Sequence, residues 1–214
     1  MTTSVLSRLV YGGSFDPVHR GHIAMMKYVL ARGYTRRLDV VPAKVSPFKQ
    51  DAPPSLPDEV RLELLRIAVA VVVRELDQPE AIRVLDYELR SPPPSYTAHT
   101  LRWLREHHPG ESIGMLIGSD SFHELDAWFQ PEEIVAHHPV VVFRRTGDEL
   151  PDLERRAREL KAKFSNIACD FRLLDNPLVD CSSSEIRAAL AAGGVNGVED
   201  CLPSEVRGVL AARN

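Results

Sequence analysis

The chain has 214 residues, 44% of them hydrophobic, and a formal net charge of −4. That length suits one α/β domain over residues 1–214, with a core at about 5–190 and a helical tail at about 191–214. The charge argues against a nucleic-acid partner, which a basic surplus usually serves, and leaves room for a local basic cluster around a small anion. No run of about 18 apolar residues offers a membrane span, and the opening MTTSVLSRLVYGG lacks the apolar stretch of a signal peptide. Three cysteines, Cys169, Cys181 and Cys201, are an odd and widely spaced set. The expectation is reduced thiols in the cytoplasm, with no disulfide framework and no zinc site.

In chain order, short apolar strand candidates alternate with helical patterns. The strand candidates are residues 6–11, 38–41, 82–85, 113–117, 140–143 and 168–173. Several are near-continuous apolar runs, as strands covered on both faces should be. Residues 22–31 place Ile23, Met26 and Leu30 on one helical face, and residues 58–74 gather Leu62, Leu65, Val69 and Val72. Further helices are expected at 96–107, 131–137, 151–164, 182–192 and 204–212, the fifth-strand follower at 151–164 being charged and superficial. This alternation predicts a Rossmann-like, doubly wound and mainly parallel sheet with helices on both faces and a small C-terminal helical tail. The proline-rich segments 42–57 and 91–95 read as loops at the carboxyl ends of strands, where such sheets bind ligands.

The stretch YGGSFDPVHRGH, residues 11–22, follows the first strand candidate and runs into the first helix. Gly12 and Gly13 let the backbone approach a ligand. The helix start offers free N–H groups and the positive end of a dipole, which suits phosphate. His19 and His22, three residues apart, face the same way around one turn, with Gly21 between them removing a side chain that could obstruct phosphate. Each imidazole can donate one hydrogen bond to an anion, charge-assisted when protonated. The string is neither a GxGxxG fingerprint nor a Walker A loop, and no HExxH-like set accompanies the pair. His107-His108 and His137-His138 sit near predicted helix ends and read as structural or solvated.

GGSFDPVHRGH resembles the G-x-F-x-P-x-H-x-G-H motif of the nucleotidyltransferase superfamily, whose members join a nucleoside monophosphate to a phosphorylated acceptor without a protein nucleophile. Further segments resemble, in order, those of bacterial nicotinate-nucleotide adenylyltransferases: VPAKVSPFK (41–49), SPPPSYTAHTLRWL (91–104), IGSDSFHELDAWFQPEEI (117–134), VVVFRRTG (140–147) and CSSSEIRAAL (181–190). That resemblance implies transfer of the adenylyl group of ATP to the phosphate of nicotinate mononucleotide, giving deamido-NAD and pyrophosphate. It implies Mg²⁺ held mainly by the ATP phosphates, and no metal site of the protein's own.

By the same resemblance His19, His22 and Arg187 are the catalytic donors. Gly12, Gly13, Ser14, Phe15, Gly118, Asp120, Ser182, Ser183 and Ile186 attend ATP, with Asp120 on the ribose hydroxyls and one of the two serines also the helix cap. Tyr96 and Thr97 meet the nicotinate carboxylate, Trp128 stacks on the pyridine, and Lys49 and Arg145 hold the acceptor phosphate. Lys44 and Arg144 are weaker candidates of the same kind. Phe129 is the better core residue beside Trp128, and Asp16 shapes the turn. The chain departs from the pattern at Ser14 and Ser184, which keep a hydroxyl where threonine is commoner, at Cys181, which replaces an aliphatic residue, and at Phe48, where histidine is usual. Rival readings are nicotinamide-mononucleotide or phosphopantetheine adenylyltransferase, a cytidylyltransferase, and a non-catalytic nucleotide sensor. An aminoacyl-tRNA synthetase would need a second, KMSKS-type loop and more chain. The expected partners are small molecules only, and a homo-oligomer is compatible with the sequence.

Overall fold

The computed structural model describes residues 4–49, 51, 53–194 and 197–213, without the side chain of Lys49. The first half runs β1 (Arg8–Gly13), α1 (Arg20–Ala31), β2 (Leu38–Pro42), α2 (Asp58–Leu76), β3 (Ile82–Val84), α3 (Tyr87–Arg90) and α4 (Thr97–His107). The second half runs β4 (Ile113–Gly118), α5 (Ser119–His123), α6 (Pro131–His137), β5 (Val140–Phe143), α7 (Leu150–Lys163), β6 (Phe171–Leu174), α8 (Ser183–Ala191) and α9 (Ser204–Ala211). Short 3₁₀ turns lie at Pro47–Lys49, Leu125–Ala127 and Glu199–Cys201.

The six strands form one sheet in the order β3-β2-β1-β4-β5-β6, every neighbouring pair parallel. Alternation along each strand divides the core in two. Leu9, Tyr11, Leu116, Val141 and Phe143 face one cluster, which α1, α2, α8 and α9 cover. Val10, Met115, Ile117, Val140 and Val142 face the other, covered by α4, α6 and α7. Both faces are therefore wrapped, which is why the strands read as continuous apolar runs. The chain order reverses between β1 and β4, so the carboxyl ends of these two strands open the crevice in which such sheets bind ligands. Their last residues are Gly13 and Gly118.

Three expectations change. On α2 Leu65, Val69 and Val72 are buried as expected, joined by Arg61 and Leu64, whereas Leu62 is only partly buried; a buried arginine takes the place expected for Leu62. The short helices α3 and α5 are too brief to leave a periodic signal. Cys181 and Cys201 form a disulfide with Cα atoms 5.5 Å apart, and only Cys169 is a free thiol. The 20-residue separation gave no pairing signal. The tail turns back so that Leu202, Val206 and Leu210 enter the core cluster under α1 and α2, and that return brings Cys201 to Cys181.

Candidate active site

At the start of α1, His19 is the N-cap. Its Nδ1 accepts from the Gly21 N–H at 3.1 Å, and its own N–H donates to His22 Nδ1 at 3.1 Å. This is a reciprocal capping box made by two imidazoles instead of a hydroxyl and a carboxylate. With each Nδ1 accepting, the proton of a neutral ring sits on Nε2. The rings lie 3.8 Å apart between centroids, so the i, i+3 spacing does set them side by side. Burial, and then the charge of Arg145, push His19 down to about 3. Its donor near neutral pH is therefore a neutral Nε2–H, and charge assistance does not apply to that ring. The cap itself also requires glycine at position 21: a Cβ there would stand 2.9 Å from His19 Cε1. The glycine makes room for the cap.

A second helix start stands opposite. Ser182 caps α8, its Oγ accepting from the Ser184 N–H at 3.2 Å. Ser183 Oγ donates to Pro17 O at 3.1 Å. Arg187 donates from Nη1 to Asp16 O at 2.8 Å and from Nη2 to Ser184 Oγ at 3.0 Å. Asp16 does more than shape its turn. Its buried carboxylate accepts from the backbone N–H groups of Ser55 and Leu56 at 2.8 and 2.9 Å, latching the loop ahead of α2. Arg61, fully buried, donates to Ser14 O at 2.5 Å and Ala43 O at 2.8 Å, clamping the ends of β1 and β2 together. An arginine inside an apolar helical stripe was the one sequence signal for that clamp.

These elements enclose a cavity of about 320 Å³. Gly12, Gly13, Ser14 and Phe15 form its floor, His19 and His22 one wall, and Ser182, Ser183 and Arg187 another. Gly118, Asp120 and Arg145 close the far side. Arg145 Nη1 donates to Asp120 Oδ2 at 2.8 Å. A Cβ at Gly118 would collide with Asp120 Oδ1 and reach within 3.0 Å of Arg145 Nε, so glycine permits that pair. Phe15 takes φ 45°, a costly left-handed conformation for a bulky residue. Its buried ring meets His22 edge-on, 4.9 Å between centroids. Two helix N-termini, two guanidiniums and two imidazoles around one space suit a polyanion.

A second cavity, about 370 Å³, adjoins the first and shares Gly12, Gly13, Ser14, Asp120, Ser121 and Trp128 with it. Its own lining includes Phe48, Tyr96, Thr97 and Phe129. The Phe48 and Trp128 ring centroids stand 6.4 Å apart across it. Phe129 is not a core residue. It is 41% exposed and packs on Tyr96, 4.3 Å between centroids, while Trp128 leans on the core. The side chain of Lys49 lies outside the described residues. Arg145 lines the polyanion cavity and not the aromatic one. Ile186 lines neither: its side chain is fully buried beneath α8 and its N–H donates to Ser182 O. Arg144 is turned towards Asp175 and Asn176, and Lys44 contributes a backbone N–H to Ser95 Oγ. Among the described residues no group of three or more His, Cys, Asp or Glu is arranged to hold a metal ion, and no helix is long and apolar enough to cross a membrane.

Residues 10–189 match a family model described as cytidylyltransferase-like. A protein of Aquifex aeolicus named "Probable nicotinate-nucleotide adenylyltransferase" is 37% identical over 180 residues, covering 83% of this chain and 99% of its own. Its namesake in Bacteroides fragilis is 32% identical over 184 residues, covering 86% of this chain and 82% of its own. The solved structure of Plasmodium falciparum nicotinic acid mononucleotide adenylyltransferase complexed with NaAD superposes with a TM-score of 0.73 at 17% identity, covering 97% of this chain and 95% of that one. At that identity the likeness speaks to the fold, which both chains share. By its sequence and its fold, this chain belongs to the nicotinate-nucleotide adenylyltransferases of the cytidylyltransferase-like family.

Proposed function

We propose that the whole chain acts as one transferase unit on MgATP and nicotinate mononucleotide in the cytoplasm, with the polyanion cavity holding the triphosphate and the aromatic cavity holding the pyridine nucleotide. The observation that carries this reading is the shared wall. Gly12, Gly13, Ser14 and Asp120 border both cavities, so an acceptor phosphate and an α-phosphorus can meet over the β1–α1 turn. An oxygen of the acceptor phosphate attacks the α-phosphorus, the α–β bridging bond breaks, and pyrophosphate leaves with the bonding electrons. The nucleophile is already an anion and needs no general base. Catalysis is then positioning and stabilisation of developing charge. His22 and the neutral His19 donate from Nε2, and Arg187 and the two helix starts neutralise charge. Mg²⁺ enters as part of the substrate, held by phosphate oxygens and water and spreading their charge. The donor set of the cavity suits that division, being N–H and O–H groups with two carboxylates, Asp120 tied to Arg145 and Asp16 to the Ser55 and Leu56 N–H groups. Trp128 offers a face for the pyridine ring, and Tyr96 and Thr97 line its carboxylate end.

The test is pyrophosphate release with MgATP and three acceptors: nicotinate mononucleotide, nicotinamide mononucleotide and phosphopantetheine. Strong preference for the nicotinate nucleotide is the expected result. Preference for another acceptor would keep the phosphate chemistry and overturn the assignment of the aromatic cavity. ATP binding without turnover on any acceptor would favour a nucleotide sensor.

A further inference from the structure

The wall of the aromatic cavity contains a carboxyl group that the reaction above does not use. Glu88, on the single-turn helix α3, is 6% exposed and lines the cavity with Ser95, Tyr96 and Thr97. Its partners are hydroxyls. Thr100 Oγ1, in the first turn of α4, donates to Glu88 Oε1 at 2.5 Å, and the Ser95 side chain is a second polar neighbour that lowers the cost of the charge. Burial holds this carboxyl above its ordinary range, and the two hydroxyls offset that only in part. A buried acid paired to hydroxyls and not to a cation is a costly way to fill a wall. An apolar residue of the same volume would fill it at lower cost.

What the acid does is visible in the residues it holds. Ser95 Oγ also accepts from the Lys44 N–H at 2.9 Å, and the Ser95 N–H donates to Val45 O at 2.9 Å. Ser95 therefore stands between the acid and the loop that follows β2, bonded to that loop through both its Oγ and its N–H. That loop carries Ser46, Pro47 and Phe48 on one side of the cavity. On the other side Tyr96 and Thr97 lie between the two residues that Glu88 grips, Ser95 and Thr100. Thr97 begins α4, so its N–H is among those a helix start leaves without an intrahelical partner. One carboxyl thus stands where the start of α4 and the loop 43–48 meet, while Glu88, Ser95, Tyr96 and Thr97 are absent from the lining of the polyanion cavity.

We propose that Glu88 is a positioning residue for the acceptor: through Ser95 and Thr100 it fixes the Tyr96–Thr97 backbone and the facing loop, and so sets affinity for the pyridine nucleotide independently of ATP. The proposal rests on the assignment of the aromatic cavity to that nucleotide. Its test is steady-state kinetics of the full-length protein with both substrates varied, for the wild type, Glu88→Ala, Glu88→Gln and Thr100→Val, alongside thermal unfolding. Glu88→Ala should raise the acceptor KM on the order of 10-fold, the scale of losing one or two buried hydrogen bonds, with the ATP KM and kcat within about twofold. Glu88→Gln keeps an acceptor for Thr100 and a polar partner for Ser95, and should restore most of the acceptor affinity. Thr100→Val should move the acceptor KM in the same direction as Glu88→Ala, and the two together should be less than additive. An unchanged acceptor KM in Glu88→Ala would overturn the proposal. So would equal losses toward both substrates, which mark general loosening of the fold. If the wild type itself turns over no pyridine nucleotide, the functional assignment fails first, and the kinetics distinguish that failure from this one.

Discussion

The two cavities meet along one strand end yet are built in different ways. The polyanion cavity is made from main-chain ends: the carboxyl end of β1 and the N-termini of α1 and α8, with His19, His22 and Ser182 bonded to backbone within their own turns and Ser183 and Arg187 tying α8 to Pro17 O and Asp16 O. The aromatic cavity is made from loops and ring faces, with Phe48, Tyr96, Trp128 and Phe129 coming from three separate segments. Local capping, joined by the ties of α8 to the β1–α1 turn, preorganises the first. Long-range ties, chiefly those around Ser95 and Arg61, preorganise the second. The difference separates rate from affinity: changes in the first cavity should be felt in turnover, and changes in the second in acceptor binding.

The largest expected effect is on the rate side. His22→Ala should lower kcat on the order of 100-fold or more, the usual result of removing a donor aimed at developing charge. Near-native circular dichroism would show that the loss is not unfolding, and wild-type turnover would refute the role given to the imidazole pair. On the affinity side, Trp128→Ala should raise the acceptor KM up to about 10-fold through lost stacking, leaving the ATP KM nearly unchanged. Equal losses for both substrates would mean that the shared wall, and not the pyridine, depends on this ring.

A stability measurement isolates the buried imidazole. His19 binds its proton at an ordinary pKa of 6.5 when unfolded and at about 3 when folded. The unfolded chain therefore takes up the proton first. The stability in question is complete above pH 6.5 and is lost as pH falls toward 3, by up to about 1.4 kcal/mol per pH unit. Denaturant unfolding between pH 8 and 5 should show this slope, and His19→Asn, which keeps a capping side chain, should flatten it. The smallest effect belongs to the cavity mouth. Phe48 is 53% exposed, and Phe48→Ala should raise the acceptor KM only about twofold to threefold. A larger loss would make the loop 43–48 a closing element and not a rim.

Much of the polyanion cavity was legible from the chain because its chemistry is local. A strand ending in two glycines, a histidine pair at helical spacing and a serine-rich helix start each state their geometry within a few residues. The exceptions are instructive. Ile186 carries the same helical spacing as its neighbours, but its side of α8 faces the core. Asp16 looks like a turn residue, and its bonds reach Ser55 and Leu56. In the aromatic cavity, Trp128 and Phe129 are adjacent and similar. Which one leans on the core depends on the irregular backbone after Leu125–Ala127, which has no period to read.

By itself the sequence determined the alternating α/β architecture and the starts of the first and of the late serine-capped helix. Those features follow from hydrophobic periodicity and from capping chemistry, both of which act over a few residues. Only the tertiary structure decided that His19 is neutral, that Arg61 clamps β1 to β2, that Cys181 bonds Cys201, and that Glu88 stands buried in the aromatic wall. Each of these depends on burial and on partners tens of residues away, and desolvation is a property of the packed chain that no local pattern encodes.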